Sequence, residues 1–354
     1  MASEELTKRE RQVLEAVIRT YVETAEPAGS RTLSQRSGLG VSPATIRNTM
    51  SDLEDKGFLF HPHTSAGRIP THKAYRSYVD ALMVRAAIPA ALETDRLAEQ
   101  IGASGSIRNG SSPIESILRR AAQTLGVLTQ ELGVALGPRL GLSVLRRLDL
   151  VRVSIDRLLL VLTLEGGAMR TVFVEVPGDI ADLALTEVTT VLNERLAGLT
   201  LEQIRTSLAE RVRDTGSSVS TSELLNIFVQ EAEQLFETGP PMADGPVVLG
   251  QPSLLAEQPE FAGADRMRKL IELTERPQAL IEAIRKRGDT PGVSITIGAE
   301  HDDPKLNEFT VVTAEYKAGT LTGIIGVIGP TRMPYDKVIS LVTHTSRLLT
   351  DLLD

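Results

Sequence analysis

The chain has 354 residues, enough for two or three domains, each with a sizeable core. Hydrophobic residues at 42% and charged residues at 24% are ordinary globular values, which excludes a disordered or fibrous chain, and the lack of any cysteine excludes disulfides, thiolate zinc sites, iron–sulfur clusters and cysteine nucleophiles. The net charge of −8 is unevenly spread: the window 27–76 holds 7 basic against 3 acidic residues, with His61, His63 and His72 among them, on a chain that is acidic elsewhere. Such an island is expected where one end of a protein meets a polyanion.

The first dozen residues carry charges of both signs and no apolar stretch of the signal-peptide kind, so the chain is expected in the cytoplasm. The densest apolar run, 158–164, is far short of the roughly 20 residues that span a bilayer, which excludes a membrane helix.

In chain order, Val13, Leu14, Val17, Ile18, Tyr21 and Val22 recur at helical spacing and predict a helix over 7–24. Pro27 and Gly29 break it, and Ser30 is placed to cap a short second helix ending near Gly38. Ser42 is a good N-cap and Pro43 suits the first position of a third helix, with Ile46, Met50 and Leu53 inward and Thr45, Arg47, Asn48 and Ser51 outward. Gly57 ends it; 58–60 and 68–69 are strand candidates flanking a loop rich in Pro, His, Ser and Gly. Helix, helix, turn, helix, hairpin is the order of a winged helix.

Thr71 can cap a helix to about residue 84, with Ala74, Tyr78, Ala81 and Leu82 on one face. Helical spacing continues over 89–101, the Gly- and Ser-rich stretch 102–112 reads as a linker, and a long helix is expected over 113–136. Residues 150–164 and 171–176 read as strands joined through Gly166 and Gly167. Helices with caps at Asp179, Thr200 and Ser222 are expected over 180–237, and another over 265–287. Strands follow at 293–297, 309–316 and 321–328, then a helix over 334–353. Strands, helices and strands again suggest an α+β domain interrupted by a mostly helical insertion.

The helix-turn-helix carries the most chemistry. A capped helix with polar residues at its start fits a major groove, where Arg47 can fork onto guanine, Asn48 can pair with adenine, and Thr45 can offer its methyl to thymine or its hydroxyl to phosphate. The alternative is a helical bundle whose polar face is only solvated. At the hairpin, Arg68 with His61 and His63 could sit in a minor groove or on phosphate, or belong to a solvated turn.

Catalytic signatures are wanting: there is no P-loop, no G-x-S-x-G and no H-E-x-x-H, so no enzyme is expected. His301, Asp302 and Asp303 read as a polar turn rather than a metal site. Gly323, Gly326 and Gly329 recur every third residue, which backbone crowding explains as well as a ligand does. His344 reads as a helix-surface residue.

Specific runs resemble the heat-inducible transcription repressor HrcA family of bacteria. Toward the N-terminus they are Val41-Ser42-Pro43-Ala44-Thr45-Ile46-Arg47-Asn48, Met50-Ser51-Asp52-Leu53-Glu54, Gly57-Phe58-Leu59, His63-Thr64-Ser65-Ala66-Gly67-Arg68-Ile69-Pro70-Thr71 and Tyr75-Arg76-Ser77-Tyr78-Val79-Asp80. Near the other end they are Ile297-Gly298-Ala299-Glu300 and Gly326-Val327-Ile328-Gly329-Pro330-Thr331-Arg332-Met333-Pro334-Tyr335. The family's motif usually has Asn after its glutamate, where this chain has His301.

The resemblance implies an α+β multidomain repressor. Its parts are a winged-helix DNA-binding domain over 1–85, a helical connector and loop over 86–112, a GAF-like α/β domain over 113–178 and 288–354, and an inserted, mostly helical dimerisation domain over 179–287. It further implies a homodimer that binds the inverted repeat CIRCE upstream of chaperone operons, is assisted by the chaperonin GroEL and is released on heat stress as chaperonin is titrated away. Carried over by position, Thr45, Arg47 and Asn48 fall on the recognition helix and Arg68 on the wing. The candidate DNA-binding set is Ser42, Pro43, Thr45, Arg47, Asn48, Ser51, Arg31, His63 and Arg68, with no cofactor and no metal. A metabolite-responsive winged-helix regulator with a ligand in the C-terminal domain is the alternative; an enzyme with an accessory helix-turn-helix and a pure interaction scaffold are more distant ones.

Overall fold

A computed structural model describes residues 6–62, 67–84, 101, 113–138, 143–165, 169–178, 180–213, 219–231, 235–236, 247–286, 292–319 and 321–353. His63, the expected linker 102–112, the Gly166-Gly167 turn and the cap expected at Asp179 lie outside them. The chain forms two bodies, one from residues 1–135, 248–315 and 325–348 and the other from 136–247, 316–324 and 349–354.

The first body begins with α1 (Lys8–Thr24), α2 (Ser30–Arg36) and α3 (Pro43–Asp55), then β1 (Leu59–Phe60) and β2 (Ile69–Pro70). α1 starts where Thr7 and Glu10 form a capping box, each side chain accepting the other's backbone N–H. Ser30 proves to be the first helical residue of α2 rather than its cap; Gly29 holds the cap position with no side-chain bond. Val13, Val17, Ile18, Leu33, Ile46, Met50 and Leu53 are buried between the three helices. β1 and β2 pair antiparallel, Leu59 opposite Pro70, and Ala28 adds a bridge to Arg68 at the sheet edge. Gly67 permits this, because a Cβ there would overlap the Ala28 carbonyl.

α4 (His72–Val84) follows, with Thr71 accepting the Ala74 N–H at 3.3 Å. Its fully buried residues are Ala74, Tyr75 and Val79, whereas the expected Tyr78, Ala81 and Leu82 are half-buried. After α5 (Pro113–Thr129), the expected single helix stops: Gln130 has φ 60, and residues 132–136 become the fully buried strand β3 (Leu132–Leu136). The break is tertiary, since β3 lies so close to α5 that a Cβ on Gly133 would overlap the Ala122 carbonyl.

β3 is interior to a five-stranded sheet of order β7-β3-β10-β9-β8, formed with β7 (Val247–Leu249), β8 (Val293–Ile297), β9 (Phe309–Ala318) and β10 (Leu321–Pro330). The expected helix over 265–287 is two, α10 (Ala264–Glu275) and α11 (Gln278–Arg285), broken at Pro277, and a short α9 (Ser253–Ala256) precedes them. The final helix, α12 (Tyr335–Leu353), buries Val338, Leu341, Val342 and Leu349.

The second body corrects the expected division of the strands. β4 (Leu145–Arg152), β5 (Arg157–Leu164) and β6 (Met169–Glu175) do not join the C-terminal strands but form their own antiparallel sheet, β4-β5-β6. The run 150–164 is two strands, turned at residues 153–156 where Ser154 donates to Asp156 at 2.6 Å. α6 (Asp182–Leu196), α7 (Leu201–Arg211) and α8 (Val219–Gln230) cover one face, burying Leu148, Leu158, Leu160, Leu162 and Val174 with Val188, Leu192, Ile204 and Phe228. The Thr200 cap is present as a capping box with Gln203, whereas Ser222 lies inside α8. One apolar core thus joins the strand segment to the helical one, which period-2 alternation within each strand cannot reveal.

The glycines of β10 answer to crowding. Added Cβ atoms would overlap the Tyr316 ring at Gly323, the Val312 carbonyl at Gly326 and the Glu131 carboxylate at Gly329.

Candidate nucleic-acid interface

α3 is set up by its first residues. Ser42 accepts the Thr45 N–H at 3.2 Å and shares a 3.0 Å hydrogen bond with the Thr45 hydroxyl, so Ser42 shapes the helix start and half-buried Thr45 is bound back to it. Ile46, Met50 and Leu53 point into the core, which leaves Pro43, Arg47, Asn48 and Ser51 exposed. Among the described residues neither Arg47 nor Asn48 has a hydrogen-bond or ionic partner, and Arg31, exposed on α2, is equally free.

An open groove of about 920 Å³ runs between α2, α3 and the wing, lined by Arg31, Pro43, Arg47, Asn48, His61 and Arg68 among others. It gathers five of the nine expected residues. Thr45 and Ser51 of α3 and its cap Ser42 are not in the groove's lining, and His63 lies outside the described residues. The lining adds Ser30 and Ala44, for which the sequence carried no signal beyond their neighbours.

Arg68, expected at the wing, lines the groove and is also paired within the fold. Its side chain is only 12% exposed, and its Nε and Nη2 both lie 2.9 Å from Glu54 Oε2, while His61 Nδ1 lies 2.9 Å from Glu54 Oε1. Partial burial pushes the Glu54 carboxyl up, but the hydrogen bonds from His61 and Arg68 prevail and hold it below the usual carboxylate range. Glu54, on α3, therefore anchors the wing to the helix through Arg68 and His61.

The basic island is correspondingly narrower than its composition. Lys56 pairs with buried Glu10 at 2.7 Å, Lys73 donates to the Lys56 carbonyl at 2.8 Å and Arg76 pairs with Glu300 at 2.5 Å, so within the described part of the window 27–76 the cations without a partner are Arg31, Arg36 and Arg47. The three contiguous polar residues of the other candidate site are otherwise engaged: Asp303 accepts the Lys305 N–H, Asp302 pairs with Lys286, and His301 is buried, which pushes its pKa down. Among the described residues no group of three or more His, Asp or Glu is placed to hold a metal ion, and no helix is long and apolar enough to cross a membrane.

The helix is thus capped, exposed along one face and set beside an open groove that carries cations. The family profile described as the HrcA protein C terminal domain matches residues 115–339. The chain belongs to the HrcA family. Proteins named heat-inducible transcription repressor HrcA from Chlorobium phaeobacteroides (strain BS1) and Geobacter sulfurreducens (strain ATCC 51573 / DSM 12127 / PCA) are 37% and 36% identical to it, each over 99% of both chains. The HrcA role, negative regulation of heat-shock transcription, is accordingly that of this chain. A crystal structure titled as that of a hypothetical protein has the same fold, with a TM-score of 0.64 and 22% identity over 99% of each chain.

Proposed function

We propose that the chain represses chaperone operons by binding, as a homodimer, an inverted repeat of the CIRCE type, and that the chaperonin GroEL maintains its active fraction in the cytoplasm. The observation that carries the DNA reading is α3, whose Arg47 and Asn48 are exposed and free of partners above a buried apolar face. Arg47 forks onto a guanine edge and Asn48 onto an adenine, while Arg31 and the start of α2 lie on phosphate. Ser42, Pro43, Thr45 and Ser51 shape and flank the reading surface; Arg68 acts through the wing it holds.

An inverted repeat calls for two-fold symmetry. The second body, read as the inserted dimerisation domain, offers a surface: on the face of its sheet turned away from the core, Val151, Leu159 and Phe173 stand opposite one another across β4, β5 and β6. Val151 is 49% and Phe173 63% exposed, an apolar row suited to a second copy. The five-stranded sheet with its helices is read as the GAF-like domain. GroEL enters through the family resemblance: heat loads the chaperonin with other clients and the repressor is lost.

The test is binding of the purified protein to a CIRCE-type palindrome and to a scrambled duplex, across salt, with and without chaperonin. Preference for the palindrome that rises with chaperonin is expected. Equal, weak binding to both would overturn the operator reading, and an active fraction unmoved by chaperonin would remove GroEL from it.

A further inference from the structure

The C-terminal signature Gly326-Val327-Ile328-Gly329-Pro330-Thr331-Arg332 lies far in sequence from α1, yet it meets that helix, on which α3 packs. Arg332, with a side chain 15% exposed, forks through Nε and Nη2 onto the Glu260 carboxylate and donates from Nη1 to the carbonyl of Val22 at 2.7 Å, across 310 residues of sequence. Val22 is in the last turn of α1, where carbonyls lack an intrahelical partner and the helix dipole is negative. Arg332 thus closes the end of the helix on which α3 packs.

A second fork runs the opposite way. Arg76, on α4, donates from Nε and Nη2 to the two Glu300 oxygens at 2.7 and 2.5 Å and from Nη2 to the Ile295 carbonyl at 2.7 Å. Glu300 is itself held by the Ile297 N–H at 2.8 Å. Two fixed points leave one rotation free. The His72 ring removes it, because it lies where a Cβ on Gly298 would be, and Gly298 is held at φ +51. The planar guanidinium forks set angle as well as distance, which a lysine could not do.

We propose that Arg332 and Glu300 are positioning residues for operator recognition: they seat the winged-helix head on the C-terminal part of the same body at a set angle, and so determine the half-site spacing that the dimer accepts. This rests on the palindrome reading above. None of these side chains touches the DNA groove, so the variants alter geometry while the reading residues stay intact.

The test compares wild type with Arg332→Met on palindromes whose spacer is lengthened or shortened by one and two base pairs, and on a single half-site duplex. Each added base pair turns one half-site by about 34–36° relative to the other, so a seated head discriminates spacings by about tenfold or more. The variant is expected to fall below about threefold while keeping half-site affinity within about twofold. Retained discrimination in a folded variant overturns the proposal. Glu300→Gln, at the more exposed tie, gives the same readout should Arg332→Met fail to fold.

Because the chain has no cysteine, Asp52→Cys with Glu275→Cys provides a spin-labelled pair on α3 and α10, diluted with unlabelled protein. The distance distribution should broaden in Arg332→Met without any DNA; an unchanged width overturns the proposal. A wild type that ignores spacing overturns the proposal, whereas a wild type that binds palindrome and scrambled duplex equally while its distance distribution is narrow would overturn the palindrome reading and not the joint.

Discussion

Arg47 and Glu131 are two charged residues with opposite fates. Arg47 stands free in water on α3, so its fork is available to a base edge at little desolvation cost. Arg47→Ala should weaken operator binding by about 1–3 kcal/mol and relax selectivity at one position of each half-site, as binding to operators altered one base pair at a time would read; equal weakening on random DNA would refute base reading. Glu131 is 2% exposed beside Gly329, and burial pushes its pKa well up, against the opposing pull of the Gln258 hydrogen bond at 3.2 Å. The folded chain holds that proton at pH values where the unfolded chain has lost it, so the group lowers stability increasingly as pH rises above about 4.3. Glu131→Gln should therefore raise Tm at pH 7.5, by about 2–4 °C for each kcal/mol recovered, and leave it nearly unchanged near pH 4. A Tm gain that is the same at both pH values would show that Glu131 is ionised in the fold.

At the scale of elements, local chemistry decides where helices start and long-range packing decides where they stop. The Ser42 cap and Pro43 at the first turn were legible because their partners lie within three residues. Ser42→Ala removes the Thr45 N–H acceptor and should cost about 1 kcal/mol, seen as a lower Tm and weaker operator binding, with the dimer intact. The end of α5 was not legible: residues 113–136 keep helical spacing throughout, and it is pairing with β7 and β10, with Gly133 seated against Ala122, that makes the last five a buried strand. The pairing of Glu54 with Arg68 and His61 was equally illegible, because they lie 14 and 7 positions away and no periodicity links an α3 carboxylate to the wing.

On the scale of the whole molecule, the division into bodies follows which strands share a core. β4, β5 and β6 are apolar on one face, and the helices that bury that face come after them in sequence, so the segment 145–175 belongs with 182–230. Its other face carries the Val151, Leu159 and Phe173 row. Phe173→Glu places a charge in that row while leaving the inner core alone. If the proposed homodimer forms through this row, the variant should sediment as a monomer and bind the palindrome about a hundredfold more weakly through loss of bivalence, with half-site binding retained. A dimer that persists would place the two-fold contact elsewhere.

The sequence by itself determined the winged-helix order, the inward and outward faces of α3, the cap that starts it and the family, since each rests on spacing over a few residues or on contiguous motifs. Tertiary structure alone decided that Glu54 binds Arg68 and His61 of the wing, that residues 132–136 form a strand, that 145–175 leaves the C-terminal sheet, and that Arg332 closes the end of α1. Those outcomes depend on groups brought together from 7 to 310 positions apart, where desolvation and hydrogen-bond geometry choose partners that no local pattern encodes.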